Sequence, residues 1–184
     1  MHALDLLRVS RLFNPTTRFY LLADLGVVEK NAYHQGQLAK LNLQIRNSTG
    51  LRGPGSRAAQ YDALHYQNAN ELHPPEMLSR FCEMADLAKA EGLERILTVD
   101  ADQGLFTDVY KAFQLYQEDI VTPCYQCSQI VLWSTKALDA YCDGLLTFWR
   151  LNETDRQELF TKYRTERDFN DMHFLDIFIK GKTR

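Results

Sequence analysis

Two carboxylates one residue apart, Asp100 and Asp102, close the apolar run Ile96-Leu97-Thr98-Val99. In an extended backbone, side chains alternate between faces, so both aspartates point the same way if strand geometry persists through Ala101. Such a pair suits a hard divalent cation. Mg²⁺ and Mn²⁺ favour oxygen ligands, and Mg²⁺ commonly takes one or two protein carboxylates, completing its shell with water and substrate phosphates. A diphosphate would supply the remaining oxygens. The competing reading of the same residues is a solvated turn, because Asp favours the turns that follow strands.

The elements that must position this pair are legible from periodicity. Leu6, Val9 and Phe13 stand at helical spacing before an Asn14-Pro15 stop, and Arg18 to Leu22 reads as a short strand. The stretch from Gly26 to Asn47 fits no single pattern. Asn47 to Ser56 carries three glycines and a proline, which predicts either a plain surface loop or a lid over a ligand. Pro74-Pro75 can open a helix with Met77, Phe81, Met84 and Ala88 on one face and Gly92 at its end. A strand over Arg95 to Val99 follows, then a helix from Phe106 to Gln117 and strands at Asp119 to Thr122 and Gln129 to Trp133. Ser134 is placed to cap a helix carrying Leu138, Tyr141, Leu145 and Trp149, and Met172, Leu175 and Ile179 stripe the last helix. Strands alternating with helices predict an α/β three-layer sandwich around a mostly parallel central sheet. In such sheets ligands collect beyond the carboxyl ends of the strands, where Asp100 and Asp102 fall.

The run ERILTVDADQGLFTDV resembles the D-x-D region of nucleotide-sugar-dependent glycosyltransferases of the GT-A fold. The resemblance covers about Glu71 to Leu146 and the surroundings of Asp171. It takes in the helix with Arg80 and Phe81-Cys82, then Thr122-Pro123-Cys124, Ser128 to Ser134, Ala137-Leu138 and Phe169-Asn170-Asp171-Met172, in the family's order. It implies a metal-dependent transfer of a sugar from a nucleotide-diphosphate donor to a hydroxyl acceptor, with Mn²⁺ or Mg²⁺ held by Asp100 and Asp102. Arg80, Asp100, Ala101 and Asp102 would bind the donor, and Ser128 and Gln129 would line the acceptor side. Asp171 would orient hydroxyls or act as the base. Helix capping is the other role open to Asp171, and a surface ion pair the other role for Arg80. His173 stands where the family carries a small hydroxyl residue and reads either as a substitute ligand or as an ordinary histidine.

The chain departs from the family at both ends. It opens at the helix that should follow the family's first strand, and it ends before the histidine that usually completes the metal shell. The expectation is therefore one domain over residues 1–184 without those two pieces. The alternative is a noncatalytic binding or assembly module derived from such a domain. A nucleotidyltransferase would call for a glycine-rich phosphate loop near the N-terminus, and the Gly50 to Gly55 segment lacks the P-loop spacing.

Composition narrows the classes. The chain has 184 residues, 45% hydrophobic and 24% charged, ordinary for one folded domain. With 21 Lys and Arg against 24 Asp and Glu, the net charge of −3 argues against general nucleic-acid binding. No apolar run reaches the length of a membrane span and no secretory signal opens the chain, so a cytoplasmic location is expected. Four cysteines fit a reducing compartment. Cys124-Tyr125-Gln126-Cys127 lacks a second pair for zinc, which favours structural thiols. Ser128 has no identifiable His and acid partner for a hydrolase triad. Tyr125 and Trp133 read as packing residues.

Overall fold

A computed structural model of the chain describes residues 3–26, 32–68, 76–123, 127–163 and 171–182. The elements run α1 (Ala3–Phe13), β1 (Tyr20–Ala23), α2 (Ala32–Ala39), β2 (Gln44–Asn47), α3 (Ser48–Leu51), α4 (Arg57–Asn68) and α5 (Glu76–Ala90), then β3 (Arg95–Val99), α6 (Val109–Leu115), β4 (Ile120–Val121), β5 (Ile130–Ser134), α7 (Thr135–Arg150), α8 (Glu153–Tyr163) and α9 (Asp171–Lys182). Capping chemistry sets several boundaries. The Ser134 hydroxyl accepts from the Ala137 backbone N–H at 3.1 Å and starts α7, as its position before an apolar stripe predicts. α6 begins three residues later than its periodicity suggests, because Asp108 caps it by accepting from the Tyr110 N–H at 2.9 Å. Phe106 consequently lies outside the helix. At the end of α5, Gly92 takes a φ of 62°, a left-handed conformation that glycine adopts without steric cost.

The expected three-layer sandwich with a mostly parallel central sheet is not what forms. Among the described residues there are two small sheets in a largely helical chain: β1 and β2 pair in parallel, and a separate three-stranded sheet has the order β3-β5-β4 with β5 antiparallel to both neighbours. The physical reason lies in the connections. Only residues 122–129 join β4 to β5. A parallel crossover needs about a dozen residues or more, so strands linked this closely must reverse direction. Between β1 and β2, α2 supplies a crossover, and that pair is parallel.

The core lies where α4, α5, α7 and α9 meet one face of the three-stranded sheet. Leu138, Tyr141, Leu145 and Trp149 all point inward from α7. The fully buried Tyr141 is the hub, with ring centroids 5.3 Å from Phe81, 5.2 Å from Trp133, 5.0 Å from Phe174 and 5.3 Å from Phe178. Trp133 donates its indole N–H to Thr98 Oγ1 at 3.1 Å, so the buried ring leaves no unmet donor there. Two expected core positions turn outward: Phe13 at the end of α1 and Met172 on α9 are exposed, and Phe174 and Phe178 carry α9 onto α7 instead. Among the described residues, no helix is long and apolar enough to cross a membrane.

Arg57 ties α4 to α5 and α7. Its Nη2 donates to Asp86 Oδ1 at 2.6 Å and its Nη1 to Asp139 Oδ1, while Lys89 Nζ reaches the same Asp139 oxygen at 2.6 Å. Burial alone would raise the Asp139 carboxyl, but hydrogen bonds from Lys89 and Arg57 outweigh it and hold the group below its ordinary range. A carboxyl whose folded pKa is depressed adds stability above its unfolded value and loses it as pH falls through the folded one. We expect thermal stability to fall below about pH 4, near the unfolded carboxyl value. Asp139→Asn should flatten part of that acid limb in melts taken from about pH 3 to 7. An acid limb identical to wild type would contradict this assignment.

Candidate functional site

At the carboxyl end of β3, three residues singled out from the sequence come together. Arg80 on α5 pairs through Nη1 with Asp100 Oδ1 at 2.8 Å, both side chains about a quarter exposed. Asp100 continues the β3–β5 ladder one step past Val99, donating its backbone N–H to the Gln129 carbonyl at 2.9 Å. Arg80 also sits over the Phe81 ring, with Cζ 5.1 Å from the centroid. A buried ring thus backs the guanidinium and limits where it can swing.

The strand does not persist through Ala101. The Gln103 N–H donates to the Asp100 carbonyl at 2.9 Å and closes a turn over Asp100 to Gln103. The alternation that would align Asp100 with Asp102 therefore does not apply, and the turn reading describes the backbone. Ala101 and Asp102 occupy the exposed corners of that turn. Asp102 Oδ1 accepts from Gln103 Nε2 at 3.3 Å. The two carboxylates consequently differ in setting: Asp100 is charge-paired and half-buried, whereas Asp102 faces solvent.

No protein-family model, curated protein or solved structure matches this chain. What the site can do is read from its own side chains.

Ser128 is buried beside the exposed Gln129 at the entry to β5, so the Ser128–Gln129 pair borders Asp100 through the Gln129 carbonyl. Asp171 is the first residue of α9, and its side chain, like Asn170 before it, lies outside the described residues. His173 is half-buried on α9. Among the described residues, no group of three or more His, Cys, Asp or Glu side chains gathers to hold a metal. Of the cysteine pair, Cys124 lies outside the described residues and Cys127 is a free, half-buried thiol; Cys82 and Cys142 are free and buried.

The glycine-rich stretch after β2 is more structured than its composition suggests. Ser48–Leu51 turns once as α3, and Arg52 behind it donates to Glu83 Oε1 at 2.5 Å, Asp62 Oδ2 at 3.0 Å and Ser79 Oγ at 2.8 Å. This guanidinium fixes the segment against α4 and α5 one residue from Arg80. Sequence reasoning missed it because its partners lie on two other helices, far along the chain.

A second missed feature adjoins the site on the chain. Asn14, almost fully buried, accepts from the Val109 N–H at 2.7 Å and donates to the Thr107 carbonyl at 2.9 Å, joining the end of α1 to the start of α6. Leu105 N donates to Ser10 Oγ at 2.8 Å. These bonds fix the segment that follows Asp102 and carry Phe106 to the surface beside Phe13, their rings 6.2 Å apart. An Asp preceding a short apolar-periodic run was the available signal for that helix start.

Proposed function

We propose that the chain binds a nucleotide-diphosphate sugar together with Mn²⁺ or Mg²⁺ and transfers the sugar to a hydroxyl acceptor. The proposal rests on side chains at the end of β3 and not on the architecture of the sheet. The observation that carries it is the 2.8 Å pairing of Arg80 with Asp100 beside the Gln129 carbonyl, which joins three separately chosen positions in one place.

The donor set fits a cation shared with substrate. Asp102 is exposed and offers carboxylate oxygen to an ion that would complete its shell with diphosphate oxygens and water. Asp102, seconded by Asp100, would hold it. Bound there, the ion would offset charge developing on the departing diphosphate. Asp100, fixed by Arg80, would contact hydroxyls of the donor. Arg80 would supply a planar cation beside the donor's phosphate oxygens. Ser128 and Gln129 border the acceptor side, and Asp171 serves as the orienting or proton-accepting carboxylate.

A second reading, a noncatalytic binding module, is favoured by one observation: Arg80 already neutralises Asp100, which lowers the charge available to a cation. A panel of uridine and guanosine diphosphate sugars, each with and without Mn²⁺ or Mg²⁺, separates the two. A ligand selective for the folded state raises the melting temperature by mass action, and roughly 2.7 kcal/mol accrues at a hundredfold excess over Kd. The transfer reading predicts a metal-dependent rise with at least one donor. No rise across the panel, with the chain folded, favours the noncatalytic module.

A further inference from the structure

The chain leaving the Asp102 turn is held by a helix that carries none of the site residues. Leu6 and Ser10 on α1, with Asn14 directly after its end, stand four residues apart and so share one stripe. Ser10 Oγ accepts from the Leu105 N–H at 2.8 Å, and Asn14 accepts from the Val109 N–H at 2.7 Å while donating to the Thr107 carbonyl at 2.9 Å. Both polar side chains are buried, Ser10 at 4% exposure and Asn14 at 2%. At Gly104 the backbone runs so close to the same stripe that a Cβ there would stand 2.9 Å from Leu6 Cδ2. Another stripe of α1 is fixed in its turn. Arg11 donates to the Leu41 and Asn42 carbonyls at 2.9 and 3.1 Å, and Arg8 to Gln37 Oε1 of α2 at 2.6 Å.

Fixed points therefore lie on both sides of Asp102. Before it, Asp100 donates its N–H to the Gln129 carbonyl and pairs with Arg80; after it, the Gln103 N–H returns to the Asp100 carbonyl and Leu105 is tied to Ser10. An exposed carboxylate on a loose turn must lose backbone freedom when it takes up a ligand, and that loss weakens binding. Here the freedom is already spent in folding. We infer that Ser10 and Asn14 are positioning residues for Asp102: they fasten the acidic turn to α1, so that Mn²⁺ or Mg²⁺ with a diphosphate would meet a carboxylate on backbone ordered beforehand. This role rests on the cation-assisted donor binding proposed above. Were the same bonds only a seat for α1 and α6, loosening them would lower stability and leave the turn at Asp100 to Gln103 as it is.

The test uses the whole chain, with backbone amide exchange read by nuclear magnetic resonance and uridine diphosphate binding read by calorimetry with and without Mn²⁺. In Ser10→Ala the Gln103 N–H keeps its own partner, the Asp100 carbonyl, yet should exchange at least about tenfold faster than in wild type. Mn²⁺-assisted binding of uridine diphosphate should weaken about tenfold, the scale of removing a group that supports a metal ligand, while metal-free binding stays as in wild type. Asn14→Ala, which unpairs two backbone groups of the same segment, should show both effects more strongly; should it fail to fold, Ser10→Ala carries the test. Asn152→Ala is the control. It removes the acceptor of the Asp155 N–H at 2.9 Å, a loss of the same kind at another helix, and should move neither readout. Unchanged Gln103 exchange in Ser10→Ala, or an undiminished gain from Mn²⁺, overturns the positioning role and leaves donor binding standing. An equal loss from Asn152→Ala overturns it too, since the gain would then follow overall stability. A wild-type chain that gains nothing from Mn²⁺ overturns the donor-binding reading, and this role with it.

Discussion

Tyr141→Ala is expected to cost about 4 kcal/mol of folding stability, within the usual range for deleting a buried aromatic side chain. Tyr141 is fully buried and its ring meets Phe81 from α5, Trp133 from β5, and Phe174 and Phe178 from α9. Three elements therefore lose contact with α7 through one substitution. The surrounding aromatic rings are too large and too constrained to collapse into the space, so the cavity penalty adds to the lost transfer energy. At roughly 2–4 °C per kcal/mol for a domain of this size, the melting temperature should drop by about 10 °C. Tyr141→Phe, which keeps the ring, should cost far less. Urea denaturation checks both, and a loss below about 1 kcal/mol for the alanine variant would contradict this view of the core.

Arg52→Ala should be comparably severe, at about 3 kcal/mol, for an electrostatic reason. Glu83 is 2% exposed, and Arg52 Nε lies 2.5 Å from its Oε1. Removing the guanidinium takes a cation from beside that buried carboxylate and releases Asp62 and Ser79 from their bonds to Arg52 at 3.0 and 2.8 Å. The sign of a second change discriminates this mechanism from simple loss of packing. Glu83→Gln made in the Arg52→Ala background removes the buried charge that Arg52 had balanced and should restore part of the stability, giving a coupling of opposite sign to two independent losses. Additive destabilisation in the double variant would show that Arg52 acts chiefly through the packing of its stem.

What the sequence made legible was local. The apolar run of β3, the Ser134 cap, the inward stripe of α7 and the glycine that ends α5 each depend on neighbours within a few residues, and each stands in the structure. Strand direction does not work that way. The alternation of strands and helices suggested a parallel sheet, yet the short link over residues 122–129 forces β5 to run against β4, and the length of that link was readable in advance. Helix α4 escaped notice because it buries Ala58, Tyr61 and His65 among polar neighbours, a stripe in which only one residue is aliphatic and one is a histidine. At the site, Arg80 and Asp100 were named separately and meet across two elements. Asp100 and Asp102 were expected to align, but the Gln103 N–H closes a turn on the Asp100 carbonyl and ends the strand. That bond is a tertiary choice between two locally acceptable conformations of Asp-Ala-Asp, and periodicity does not distinguish them.

The proposal of cation-assisted donor binding centres on the exposed carboxylate of Asp102, and titration calorimetry of a nucleoside diphosphate against the wild-type chain and Asp102→Asn tests it most directly. The account predicts that Mn²⁺ tightens binding of the diphosphate to wild type at least about tenfold, near 1.4 kcal/mol, and that this gain disappears in Asp102→Asn while thermal stability without ligand is unchanged. An equal gain from Mn²⁺ in both proteins, or no binding to wild type with the metal present, would contradict it.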